Sequence, residues 1–288
     1  MSWWTDFLNW FFKPSKPPAL PPVPPPSTGR KSFWSVGINA YRSSPLQGCV
    51  NDSFNLASYL KPKGFAVHQL MDGVATGQAM EDFWLEAVRN TMPGDLTVLH
   101  YSGHGSNGPT GMPADPGQCL VSVDMRPFYA SRLGEILTKL VEGGQLVVLL
   151  DSCHSETATR LVGHSTYRVP RSIPWSELDI SQDPIPSYRE AREFNLTALA
   201  KSPSFGMIEF AACQANDVTY DASINGQIQG CATRAWIDAG TELDQDWSGG
   251  YSVHLFQSRV QTKLPNDEFP NRPQLQASAE QLDQVMWR

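Results

Sequence analysis

Two short stretches of this chain carry side chains capable of covalent chemistry. "HYSGHGS" (100–106) closes one apolar run with His104 between two glycines, and "LLDSCHS" (149–155) closes another with Asp151, Ser152, Cys153 and His154 in succession. A thiol is mostly protonated at neutral pH and becomes an efficient nucleophile when a nearby base takes its proton. His104 suits that task, and Gly103 and Gly105 let the backbone turn tightly and come close to a substrate. The amides of Gly105 and Cys153 would then form the donor pair that a developing oxyanion needs. His154 is the weaker base, because consecutive residues at a strand end point apart. Two other readings compete. A buried structural cysteine is the ordinary role of this residue type, and is the reading taken for Cys119, Cys213 and Cys231. A metal site could draw on His100, His104, Cys153 and His154, but no Cys-x-x-Cys pair accompanies them and His100 sits inside an apolar run.

These residues need elements to position them. From Phe33 onward short apolar strands alternate with helical stretches: strands over 33–39, 65–71, 95–103, 145–150 and 206–213, and helices over 51–61, 76–90 and 131–141. Alternating β and α units with near-continuous apolar strands predict an α/β fold, a mainly parallel sheet of about six strands covered by helices on both faces. Ligands bind such sheets beyond the carboxyl ends of the strands. His104 and Cys153 both follow strand C-termini, so neighbouring strands would bring imidazole and thiol to one crevice.

The 288 residues, 41% of them apolar, suffice for a substantial core. A net charge of −7 without a dense Lys/Arg block gives no reason to expect nucleic-acid binding. Five scattered cysteines do not form a disulfide framework and fit a reducing, cytoplasmic setting. Residues 1–13 form an aromatic tail with Trp3, Phe7 and Trp10 at helical spacing, and residues 14–31 a proline-rich linker that reads as a polyproline spacer. Residues 1–12 are expected to be an interfacial anchor, associating the protein with a membrane surface, or a peptide that binds a protein partner. Residues 32–288 make up the folded domain. Within them 155–204, rich in Pro, Ser and Arg, is expected to be a surface insertion over the cleft, with Arg160, Arg168, Arg171, Arg192 and Lys201 as self-cleavage points.

"HYSGHGS", "LLDSCHS" and the upstream "LQGCVNDS" (46–53) together resemble the caspase-like cysteine peptidases, most closely the metacaspase and orthocaspase branch. The interval from His104 to Cys153 matches the roughly 50 residues known for caspases. The resemblance extends to "EFAACQANDVTYDA" (209–222) and "RPQLQAS" (272–278), spanning about residues 32 to 280. It implies a caspase-like fold, His104 as general base and Cys153 as nucleophile, and a primary specificity pocket lined by Cys49, Asp52, Ser102 and Asp151. Two carboxylates on a pocket floor favour a long cationic side chain, so protein or peptide substrates with Arg or Lys at the cleavage site are expected. Glu156 departs from the glycine that many relatives carry there. The acidic pair with which some members bind calcium is missing, leaving only the dispersed Asp115, Asp124, Glu135 and Glu142, so no cofactor or calcium dependence is expected. The rival from another class is a catalytically silent scaffold or sensor module built on the same fold.

Overall fold

The computed structural model describes residues 29–108, 118–153, 167–181, 195–202, 205–214 and 217–288. The aromatic tail, residues 14–28 of the linker, His154, Glu156, Arg160, Arg192 and Asp115 lie outside the described residues. In chain order the strands are β1 (Lys31–Gly37), β2 (Phe65–Met71), β3 (Leu96–Ser102), β4 (Gly105–Asn107), β5 (Gln118–Val121), β6 (Pro127–Tyr129), β7 (Gln145–Asp151), β8 (Arg168–Pro170), β9 (Met207–Ala211), β10 (Tyr220–Ile224), β11 (Gln227–Gly230) and β12 (Gln274–Gln276). The α-helices are α1 (Cys49–Leu60), α2 (Gly77–Arg89), α3 (Ala130–Leu137), α4 (Leu196–Ala200), α5 (Cys231–Asp246), α6 (Val253–Gln261) and α7 (Ala279–Leu282).

The main sheet has the order β12-β9-β7-β3-β1-β2, parallel throughout except for β12, which runs antiparallel to β9. Successive residues of its central strands face opposite layers, as a strand's two-residue period requires. Phe33, Val98 and Val147 enter one core with helices α1, α5 and α6; Trp34, Leu99 and Val148 enter the other with α2 and α3. Both faces are therefore apolar, which is why these strands read as continuous hydrophobic runs. This is the α/β architecture expected from the alternation of elements.

Two features went unread in the sequence. A three-stranded sheet, β11-β10-β8, stands beside the carboxyl ends of the main strands, and a second one, β4-β5-β6, follows His104. The expected surface insertion over 155–204 needs correction in its described residues. β8 is paired with β10, Arg171, Ile173 and Ala200 are fully or almost fully buried, and α4 contacts both β9 and α3. The polar and proline-rich composition misled because Arg171 is buried by ion pairing, which composition cannot signal.

Candidate active site

Strand register sets the first relationship. Gly37, Ser102 and Asp151 are direct partners across β1, β3 and β7, so the chain leaves β3 and β7 side by side and carries His104 and Cys153 two residues further on. The tight exit at Gly103 admits no side chain: a Cβ there would fall 2.4 Å from the Tyr41 hydroxyl and 2.5 Å from that of Tyr101. Those two phenols hold the loop. The Tyr41 hydroxyl accepts from the His104 amide at 3.0 Å, and the Tyr101 hydroxyl lies 2.7 Å from the His104 carbonyl.

The His104 ring is buried beside Tyr41, centroids 4.6 Å apart, and its Nε2 lies 2.7 Å from the carbonyl of Ser44. Ser44 has a left-handed backbone, φ 52°. A carbonyl can only accept, so Nε2 carries the ring proton and Nδ1 the lone pair. Nδ1 has no hydrogen-bond partner among the described residues. Burial pulls the imidazole pKa down to about 4, leaving it neutral. The Cys153 sulfur donates to the carbonyl of Thr219 at 3.0 Å and accepts from its amide at 2.7 Å. Burial, followed by the neighbouring Cys213 thiol, pushes the Cys153 pKa well above that of an ordinary cysteine.

Arg171 ties together the two loops that carry these groups. Its carbonyl oxygen accepts from the amides of Gly105 and Cys153, each at 3.0 Å. Its own amide donates to Thr219, and two residues on Ile173 donates to the Gly105 carbonyl. The Arg171 side chain is wholly buried. Its Nη2 meets Asp52 at 2.6 Å and Asp221 at 3.0 Å, while Nη1 meets Asp151 at 3.2 Å and the Ser102 hydroxyl at 2.8 Å. Burial works against the guanidinium charge, but the fields of Asp151, Asp52 and Asp221 outweigh it and hold the group protonated.

Each carboxylate is anchored by further donors. Asp52 accepts from Ser102 at 2.7 Å and from the Gly230 amide at 2.8 Å. Asp151 accepts from the Thr233 amide and hydroxyl on one oxygen and from the Thr219 hydroxyl on the other. Asp221 accepts from the amides of Gln47 and Gly48 and from the Tyr167 hydroxyl. A Cβ on Gly230 would lie 2.3 Å from Asp151 Oδ2 and 2.5 Å from Arg171 Nη1, so only glycine lets β11 close this side. Even so, burial raises the Asp52 pKa to about 7, with Arg171 lowering it and Asp151 raising it. Cys49 completes the lining at the start of α1, its thiol pushed up by burial and drawn down by Arg171.

The expected site residues His104, Gly105, Cys153, Asp52, Ser102, Asp151 and Cys49 therefore converge on one place. His100 does not: its Nδ1 is 2.8 Å from the Ser35 hydroxyl and its Nε2 3.4 Å from Thr233 Oγ1, a buried structural role. Sequence reasoning missed Asp221 and the pairing of Arg171 with the pocket. "TYDA" (219–222) was the only signal for Asp221; nothing marked Arg171 out among the five residues expected as self-cleavage points.

A parallel-centred sheet with thiol and imidazole at adjacent strand ends, and an acidic pocket next to them, is an arrangement that fits the caspase-like cysteine peptidase family. The caspase domain family matches residues 35–282, and the chain belongs to it. Metacaspase-7 of Arabidopsis thaliana is 31% identical over 153 residues, covering 47% of this chain and 38% of the relative. Metacaspase-1 of Meyerozyma guilliermondii is 26% identical over 300 residues, covering 87% of this chain and 70% of the relative. This chain thus aligns with less than half the length of the Arabidopsis protein. Among solved structures, a protein from Geobacter sulfurreducens superposes with a TM-score of 0.64 at 23% identity, covering 90% of this chain and 98% of that one. Caspase-1 of Spodoptera frugiperda superposes with a TM-score of 0.58 at 12% identity, covering 91% and 93%. These two likenesses concern the fold.

Proposed function

We propose that the protein is a cysteine endopeptidase that cleaves after Arg or Lys through His104 and Cys153, and that it cuts its own chain between Arg171 and Ser172. The observation carrying this reading is that the Arg171 carbonyl accepts from the Gly105 and Cys153 amides while its guanidinium lies among Asp52, Asp151 and Asp221. These contacts support the reading, because acyl transfer needs a carbonyl oxygen held by two amide donors and a side chain fixed in its pocket.

The chemistry follows from those positions. Nδ1 of His104 takes the thiol proton as Cys153 Sγ attacks the carbonyl carbon, and the two amides stabilise the oxyanion. The imidazolium then protonates the leaving amine, which for self-cleavage is the new N-terminus at Ser172. A thioester remains on Cys153, and water hydrolyses it to a free carboxylate and a regenerated thiol. No metal or other cofactor enters this scheme, so activity is expected to persist in chelator.

Of the other basic residues considered as self-cleavage points, Arg168 is paired with Glu268 and Lys201 is exposed after α4. The test is mass spectrometry of purified chains beside fluorogenic assays with Arg, Lys and Asp at the cleavage position. Fragments ending at Arg171 and turnover of Arg and Lys peptides, both absent in Cys153→Ala, are expected. An intact parental chain that leaves every peptide uncut would favour the silent scaffold.

A further inference from the structure

Resting on the peptidase reading above, we infer that Phe269 and Glu268 form a second basic subsite, which takes an Arg side chain three residues before the cleaved position and so directs the enzyme to Arg-x-Pro-Arg peptides. The residues that precede Arg171 supply the geometry. β8 lies antiparallel to β10 with Arg168 opposite Ala222, Val169 opposite Asp221 and Pro170 opposite Tyr220. The Arg168 guanidinium carbon sits 5.0 Å from the centre of the Phe269 ring. Nη1 donates to the Glu268 carbonyl at 2.9 Å, and Nη2 pairs with the Glu268 carboxylate at 2.8 Å. The Arg168 side chain is only 10% exposed.

The receiving loop is organised independently of β8. The Asn266 side-chain oxygen accepts from the amides of both Glu268 and Phe269, and the Asn266 amide donates to the Phe269 carbonyl. The Phe269 ring is itself buried and lies near Tyr220, centroids 6.4 Å apart. A flat guanidinium over an aromatic face with a carboxylate at its edge suits Arg better than Lys, whose ammonium cannot stack.

The ladder also explains the proline. The Arg171 amide donates to Thr219, and the Tyr167 carbonyl accepts from Ser223, so the odd-numbered residues of this segment bond to β10. Pro170 falls at the intervening position, where strand alternation turns its nitrogen away and no donor is missing. A substrate adding itself to the β10 edge would keep the same pattern.

The test compares reporter peptides Arg-Val-Pro-Arg and Ala-Val-Pro-Arg on the full chain. The first should be cleaved with about tenfold higher kcat/KM, the scale of one stacked and paired cation. The Glu268→Gln and Phe269→Leu variants should each bring that ratio toward unity; Glu268 is half-exposed, so its variant keeps the test sound if loss of the Phe269 ring disturbs folding. Equal cleavage of the two peptides by the parental chain, or a ratio unmoved by Glu268→Gln, overturns the subsite and leaves the peptidase reading standing. No turnover of either peptide overturns the peptidase reading and the subsite with it.

Discussion

The Cys153 amide and the Arg171 carbonyl oxygen lie 3.0 Å apart, so the residue that bears the thiol also grips the peptide carbonyl beside it. One consequence is electrostatic. His104 and Cys153 are both fully buried, and burial is the largest cause pulling the imidazole down and pushing the thiol up. The pair is thus neutral while the segment through Arg171 fills the cleft. Release of that segment would rehydrate both groups and move each toward its ordinary value, easing the proton transfer that the reaction begins with.

Arg171→Ala should abolish the cut between residues 171 and 172, because the buried carboxylates lose the only cation they enclose among the described residues. Arg171→Lys should be cut more slowly than the parent, since one ammonium cannot reproduce contacts to three carboxylates from a planar fork. Intact-mass measurements over time would check both. Cutting of Arg171→Ala at the same bond and rate would remove Arg171 as the residue that directs it.

Cys153→Ala should eliminate peptide cleavage, and His104→Ala should lower kcat by about 100-fold or more, the usual scale for a lost proton-transfer group. Cys213→Ala should act differently. After burial, the Cys213 thiol is the next influence raising the Cys153 pKa, so its removal should leave activity intact or slightly higher. Steady-state assays of the three variants, each checked for folding by circular dichroism, would separate them; an inactive, folded Cys213→Ala would assign that thiol a larger part.

The meeting of His104, Cys153, Ser102 and Asp151 in one place was legible because each residue falls at or just past the end of a recognisable strand. Asp52 and Cys49 could be added through the resemblance in "LQGCVNDS". What escaped was the material contributed from afar. The β10–β11 hairpin had a local signal, since Asn225 and Gly226 take left-handed φ of 55° and 80° at its turn, as Asn-Gly pairs favour. Its importance lies in delivering Asp221 and Gly230 to the pocket, a long-range fact with no periodicity to announce it. β8 is three residues long and ends in proline, so propensity argued against a strand; its pairing with β10 and the burial of Arg171 decided otherwise.

Asp52 predicts a pH effect on stability. Its pKa rises from 3.8 to about 7, chiefly through burial, so between these values the unfolded chain has released a proton that the folded chain retains. The stability it contributes is full below about pH 3.8 and is lost as pH rises toward 7. His104 acts with the opposite slope. Held near 4 instead of 6.5, it contributes stability above 6.5 that is lost as pH falls toward 4. Melting Cys153→Ala with and without Asp52→Asn separates the two, as self-cleavage is blocked in both chains. The stability of the Asn chain relative to its parent, read from the difference in Tm, should climb between pH 4 and 7 by on the order of a few kcal/mol. A pH-independent difference would contradict the raised Asp52 pKa.

The three carboxylates should not respond alike to replacement by Asn. Both oxygens of Asp52 accept from donors that cannot reverse: the Gly230 amide on one, Arg171 on the other. Asp221 is similarly constrained, by Arg171 on one oxygen and the Gln47 and Gly48 amides on the other. An Asn side chain at either position must direct its NH2 group at another N–H. Asp151 differs, because Oδ2 takes the Thr233 amide and Arg171, whereas among the described residues Oδ1 meets only the Thr219 hydroxyl. That hydroxyl can accept from an amide and turn its own proton toward Cys231, whose sulfur lies 3.2 Å away. Asp151→Asn therefore loses a charge but no hydrogen bond. For Arg peptides, Asp52→Asn and Asp221→Asn should lower kcat/KM by about 10- to 100-fold, the range of a lost charge-assisted bond, and Asp151→Asn by distinctly less. A folded Asp151→Asn more impaired than Asp52→Asn would reverse the assignment of which carboxylate the substrate depends on most.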